Sequence, residues 1–212
     1  MSIPRIQLTT EGLGQQFGRL VLFRQMDVAM RQGESVAITG ANGSGKSTLL
    51  RILLGLLTPT VGTVKLWVDG EAVPRAERVE HMGLVAPYLG VYDALSAREN
   101  LSFLAQARRV SNPNARIDNV LCRVGLAARA DDAVGTYSSG MRQRVKVAAA
   151  LLHQPPILVL DEPSTNLDAP GRSMMQTVQE EQVQHGGLVI VATNHASEAE
   201  GRDRVVAIDA HR

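Results

Sequence analysis

Short apolar runs alternate with stretches of helical spacing along most of the chain. Residues 5–10 and 20–30 read as strands of a small N-terminal β-lobe, the second stopped by Gly33. Ser35-Val36-Ala37-Ile38-Thr39-Gly40 is a short buried strand, and residues 46–57 read as the helix that follows it. Pro59 and Gly62 close that segment, and residues 63–68 alternate like a half-exposed strand running into an Asp69-Gly70 turn. From about residue 88 to 154 the pattern changes to Ala, Arg and Leu at helical spacing, which predicts a helical insertion. Strand character returns at 157–160 and 188–192, and residues 205–208 read as a last strand. No internal repeat, low-complexity tract or flexible linker interrupts the alternation. The expectation is one α/β domain over 1–212 with a mostly parallel sheet. Its β-lobe and core occupy about 1–87 and 155–212, and its helical subdomain about 88–154.

Composition narrows the class without naming a chemistry. Hydrophobic residues make up 44% and charged residues 20%, so the chain is not of the disordered type. Aromatics are only 3%, which leaves the core to Leu, Val, Ile and Ala. A formal net charge of +1 gives no electrostatic footprint for nucleic acid, and none is expected as a partner. The single cysteine, Cys122, excludes an internal disulfide and any CxxC site. Met1-Ser2-Ile3-Pro4-Arg5 leads into polar residues, so no secretory signal is expected. The strongest apolar stretch, 49–57, is broken by Arg51 and Gly55 and falls short of the roughly 18 residues a bilayer span needs. A role at a membrane would have to run through a partner.

Two motifs carry the chemistry. Gly40-Ala41-Asn42-Gly43-Ser44-Gly45-Lys46-Ser47-Thr48 matches GxxxxGK[ST] between a predicted strand and a predicted helix, the context that motif requires. Its glycines let consecutive backbone N–H groups turn inward as an anion nest, and the helix start adds partial positive charge. Lys46 supplies a point charge for the β- and γ-phosphates of ATP, and the Ser47 hydroxyl is placed for Mg²⁺. Downstream, Ile157-Leu158-Val159-Leu160-Asp161-Glu162 sets two carboxylates at the C-terminal end of an apolar strand, where open α/β sheets bind ligands. Asp161 suits the Mg²⁺ shell and Glu162 a general base for an attacking water. Together they specify a P-loop NTPase with a RecA-like core. Kinases, small GTPases and helicase-like motors remain open at that point.

A third group separates these classes. Tyr137-Ser138-Ser139-Gly140-Met141-Arg142-Gln143-Arg144 resembles the signature of ABC-type ATPases, usually LSGGQ before a basic helix. Pro163-Ser164-Thr165-Asn166-Leu167-Asp168 is similar to that family's D-loop, and Thr193-Asn194-His195 to its H-loop. The order of motifs along the chain is also the family's. The resemblance implies an ATP-hydrolysing subunit that powers an integral membrane permease from the cytoplasmic face of the inner membrane. It implies two copies paired head-to-tail, with ATP between one copy's phosphate loop and the other's signature. Ser138, Ser139 and Gly140 would then reach the γ-phosphate across the interface, and Asp168 would work at that interface. His195 would contact the γ-phosphate, and Phe17 would stack on adenine.

The chain also departs from the pattern. Ser139 replaces the signature's first glycine and Met141 its glutamine. Where the family places a Q-loop glutamine, near Pro87 in Met82-Gly83-Leu84-Val85-Ala86-Pro87-Tyr88, no glutamine stands. The segment Tyr92-Asp93-Ala94-Leu95-Ser96-Ala97-Arg98-Glu99-Asn100-Leu101 resembles exporter-type subunits. Phe23-Arg24 and the short C-terminus are similar to the haem exporter subunit of cytochrome c maturation. Multidrug or polysaccharide export, a soluble ABC ATPase not coupled to transport, and a nucleotide-gated scaffold are the competing readings.

Overall fold

A computed structural model describes residues 5–211; the Met1–Pro4 part of the expectation about a secretory signal lies outside them. Two sheets organise the chain. The first is antiparallel, in the order β2 (Leu20–Arg31), β1 (Ile6–Phe17), β4 (Val61–Val68) and β5 (Glu71–Val73). The second is parallel throughout, ordered β6 (Met82–Val85), β7 (Ile157–Asp161), β8 (Leu188–Thr193), β3 (Ser35–Thr39) and β9 (Arg204–Ala207). The helices are α1 (Lys46–Leu53), α2 (Ala97–Ala107), α3 (Pro113–Arg123), α4 (Ser139–Leu151), α5 (Ala169–Gln184) and α6 (Ala196–Ala199).

The inner parallel strands β7, β8 and β3 are buried on both faces, so their sequences are mostly apolar, and the two-residue period sorts them onto two cores. Leu158, Leu160, Val189 and Val191 join the apolar residues of α2, α3, α4 and α5. Ile157, Val159, Leu188, Ile190, Val36 and Ile38 face the other way, onto α1 and the β-lobe. Few aromatics are needed: among the described residues Phe23 is the one phenylalanine fully inside.

Several boundaries differ from the sequence pattern, each for a local reason. The helix expected over 46–57 ends at Leu53, because Gly55 (φ 82°) turns the chain into a Schellman cap. Its amide donates to the Ile52 carbonyl (3.0 Å) and the Leu56 amide to that of Arg51 (2.9 Å), while apolar residues run on past the turn. The first strand extends to Phe17, past 5–10, through bulges between Thr10 and Gln16 that interrupt the simple alternation. The last strand is Arg204–Ala207; Ile208 belongs to a 3-10 turn, Ile208–His211. The stretch expected to be helical does hold α2, α3 and α4, but residues 88–96 leading into α2 are irregular. Helix α5 was not anticipated; it carries only Gly171, Met175, Val178 and Gln179 inward, too thin a stripe to read.

Packing of α4 on the sheet depends on Gly83, where an added Cβ would lie 2.3 Å from the Ala150 carbonyl oxygen and 2.8 Å from Pro155. Gly83→Ala is expected to lower unfolding free energy by about 1–3 kcal/mol, read as a shifted denaturant midpoint. Ser96 caps α2 reciprocally: its hydroxyl accepts from the Glu99 amide (3.1 Å) and the Glu99 carboxylate accepts from the Ser96 amide (2.7 Å). Ser96→Ala is expected to cost about 1 kcal/mol. The same bonds hold the Glu99 carboxyl below its usual range. Its contribution is therefore full above the unfolded carboxylate pKa and fades as pH falls through the lower folded value, so the wild-type advantage in a urea titration should shrink on acidification.

Candidate nucleotide site

The ends of β3, β8 and β7 lie side by side, and their loops bring the sequence-selected residues together. After β3 the chain turns through Gly43 (φ 77°) and Gly45 (φ 107°), left-handed conformations that favour glycine. Gly45 caps α1 with no side-chain bond and no acidic residue occupies the first helical turn. The amides there remain donors for an anion, and the helix dipole adds to them. An added Cβ at Gly45 would press on Leu22 at 3.1 Å, so β2 backs the loop. The Ser44 hydroxyl is buried with no hydrogen-bond partner among the described residues.

Lys46, only 7% exposed, folds back under this loop. Its ammonium donates to the carbonyls of Gly40 (2.8 Å) and Ala41 (3.2 Å) and stands 3.7 Å from Glu162 Oε1. The Ser47 hydroxyl lies beside the Asp161 carboxylate and favours its charged form, while Thr48 is half-buried in α1. Asp161 is buried at the end of β7, and its Oδ1 has no partner among the described residues. Burial pushes its carboxyl up, opposed by the Ser47 hydroxyl and by the Lys46 and Arg51 charges. Glu162, next along, sits at φ 50°, a strained conformation for a non-glycine residue, and its amide donates to the Ala192 carbonyl at 2.9 Å. Burial pushes its carboxyl up too; Lys46 and His195 pull it down, Glu198 and Asp161 push it further up. Asn194 Nδ2 donates to Asn42 Oδ1 (3.0 Å), pinning the β8 loop to the phosphate loop, and the His195 amide donates to the Thr193 hydroxyl (3.0 Å).

The arrangement can hold a polyphosphate over a glycine cradle backed by a buried ammonium. A hydroxyl beside a buried carboxylate with an unpaired oxygen also suits Mg²⁺, which binds through one or two such groups plus phosphate oxygens.

The signature residues lie elsewhere in the same chain. Ser138 caps α4, accepting from the Met141 amide at 3.2 Å, with Ser139 opening the helix. Gly140 packs against the loop before α5: an added Cβ would lie 3.2 Å from the Asn166 carbonyl oxygen. Asp168 caps α5, accepting from Gly171 (2.9 Å), and pairs with Arg144 of α4 at 3.1 Å. The Gly171 amide, then Arg144, holds its carboxyl below the usual range. Phe17 ends β1 at the hairpin to β2, 51% exposed.

Residues 23–165 match the ABC transporter family. The chain belongs to it. A Bacillus subtilis protein described as an uncharacterized ABC transporter ATP-binding protein, YdbJ, is 36% identical over 95% of the chain and 66% of its own length. A cytochrome c biogenesis ATP-binding export protein, CcmA 2, of Cupriavidus metallidurans is 35% identical over 96% of both chains. Among solved structures, an ATP-binding cassette described as a dimeric post-hydrolysis state bound to ADP and Pi aligns with a TM-score of 0.78 at 26% identity, over 94% of this chain and 93% of that one. The chain spans slightly less than two thirds of several curated relatives, including those named for linearmycin resistance and bacitracin transport. Among the described residues, no helix of this ABC cassette is long and apolar enough to cross a membrane.

Tertiary structure adds residues to the set that motifs picked out. Glu198 has both carboxylate oxygens buried and unpaired among the described residues, and its charge pushes the Glu162 carboxyl up. Its place three residues after His195 was the only sequence signal. Arg51 stands one helical turn after Ser47, a spacing that was visible but carried no motif. Lys46→Met removes the charge under the loop and should weaken binding of a fluorescent ATP analogue at least about tenfold; titration of the folded variant checks it.

Proposed function

We propose that this chain is the ATP-binding and ATP-hydrolysing subunit of an exporter-type ABC transporter. The observation that carries the reading is the buried Lys46 ammonium between the phosphate-loop carbonyls and Glu162, with the buried Asp161 carboxylate at the end of β7 beside it. The γ-phosphate would meet Lys46 and the α1 amides, and the phosphate charge would displace Glu162 as the ammonium's anionic neighbour. Released from that pairing, Glu162 accepts a proton from water as general base, and its raised pKa suits the role. Ser47 and Asp161 would hold Mg²⁺, which supplies charge neutralisation for the phosphates when bound. His195 and Asn194, on the loop tied to Asn42, would line the γ-phosphate side, and Phe17 would offer an exposed face to adenine.

A second copy completes this account. Ser138 and the first turn of α4 make a second helix start with no acidic residue in it. The aligned cassette described as dimeric supports pairing in which Ser138, Ser139 and Gly140 reach a partner's nucleotide, with Asp168 at the interface. Integral membrane permease subunits are the remaining partners, and they would hold this chain at the cytoplasmic face of the inner membrane. Haem for cytochrome c biogenesis is the leading cargo, supported by the 35% identity to the cytochrome c biogenesis relative. Drug efflux is the second reading, supported by the relative named for bacitracin transport. The permease that co-purifies from membranes separates the two.

Glu162→Gln should keep ATP binding, lower turnover by about 10²–10⁴-fold and shift the ATP-loaded protein to dimer size on gel filtration. A fully active monomeric variant would refute the base role. Because Glu162 acts only when ionised and its pKa is raised, turnover in the wild type should fall at a higher pH than an ordinary glutamate would give. Glu198→Gln removes a neighbour that raises it and should move that acid limb to lower pH, as a pH–rate profile would report.

A further inference from the structure

In the parallel sheet β3 lies between β8 and β9, and the chain leaves it as the phosphate loop. Each flanking strand sends one side chain to that loop from just past its own end. From β8 comes Asn194, which donates to the Asn42 side chain. From β9 comes Asp209, in the 3-10 turn Ile208–His211, whose Oδ2 accepts from the Ala41 amide at 3.3 Å. Asp209 is exposed, but Ile208 before it is fully buried in the apolar cluster that holds Val36 and Ile38 of β3, so the turn is anchored to the strand it serves. A Cβ added at Gly40 would stand 3.3 Å from the same Asp209 oxygen, so the carboxylate lies close against the Gly40–Ala41 peptide.

That peptide unit is held at both ends. Its N–H is the Ala41 amide, which donates to Asp209, and its carbonyl is that of Gly40, which accepts from the Lys46 ammonium at 2.8 Å. Carboxylate, peptide and ammonium therefore form a chain of two charge-assisted hydrogen bonds. Each polarises the peptide in the same sense and so strengthens the other. A rotation of the peptide would weaken both. Asp209 thus acts on Lys46 through one peptide, from a place 168 positions away from Ala41 and outside every motif of the loop.

We propose that Asp209 is a positioning residue for the nucleotide site. By holding the Gly40–Ala41 peptide it sets where the Lys46 ammonium stands, and so how well that ammonium meets a polyphosphate. The inference rests on the nucleotide-site reading and deepens it. What Asp209 supplies is an oxygen that accepts the Ala41 N–H; asparagine offers one as well, and alanine does not.

Titration of the full chain with a fluorescent ATP analogue, in single variants and in a Lys46→Met background, tests this. Asp209→Ala should weaken binding by about three- to tenfold, the net worth of one hydrogen bond. Asp209→Asn keeps the acceptor and should bind within about twofold of the wild type. The double variant Lys46→Met, Asp209→Ala should bind no more weakly than Lys46→Met alone, because the peptide then has no ammonium to aim. Asp209 is exposed, so none of its substitutions opens a core cavity. Wild-type affinity in Asp209→Ala overturns the proposal. So does an Asp209→Asn variant as weak as Asp209→Ala, or a full further loss on top of Lys46→Met, either of which marks a residue that only supports the turn's own fold. A wild type that does not bind the analogue, or a Lys46→Met variant that binds it equally well, overturns the nucleotide reading together with the inference.

Discussion

A cation held out of water has to be answered by anions or carbonyl oxygens, and Lys46 is the cation this structure is arranged around. Gly40 and Ala41 supply carbonyls and Glu162 a carboxylate. The loop can offer those carbonyls only because its glycines accept left-handed backbone, and Glu162 can reach only because it too is bent into that region. Desolvation makes this local balance of charge strong. It also makes it exchangeable: a phosphate is a better anionic partner than one glutamate, and its arrival would free that glutamate.

The two-core architecture places the balance at a seam. One face of the parallel sheet belongs to α1 and the β-lobe, the other to α2–α5. The loops at the strand ends are where these two halves meet, so a charge there bears on both. Helix α1 carries Lys46, Ser47 and Arg51 from one side, and α4 carries Lys146 from the other. The short turn at Pro87 and Tyr88 is gripped by both.

The chain's departures from its family's pattern make physical sense in this frame. Met141, standing where glutamine is usual, packs its side chain against the apolar cluster of the helical half while its amide donates to Ser138. The signature helix thereby gains an apolar anchor in its first turn. Near Pro87, where no glutamine is found, the carbonyl and the neighbouring ring make the contacts instead of a side-chain amide.

What the sequence determined by itself was the local chemistry and its framework. A glycine loop between strand and helix, and two carboxylates closing an apolar strand, can be read from a few adjacent residues because their function depends on adjacent backbone. The inner parallel strands β3, β7 and β8 were equally plain, since burial on both faces leaves few polar positions. Elements whose stability comes from distant partners were not legible. Helix α5 has a thin apolar stripe and owes its start to Asp168 and Pro170 rather than to periodicity. The end of α1 was hidden because apolar residues run on past the Gly55 cap. Only the tertiary structure decided that the charge of Glu198 would bear on Glu162 and that Arg51 would lie over Tyr88. Those pairs are separated by 36 and 37 positions in the chain, and no local pattern encodes which side chains the packing of two cores will bring together.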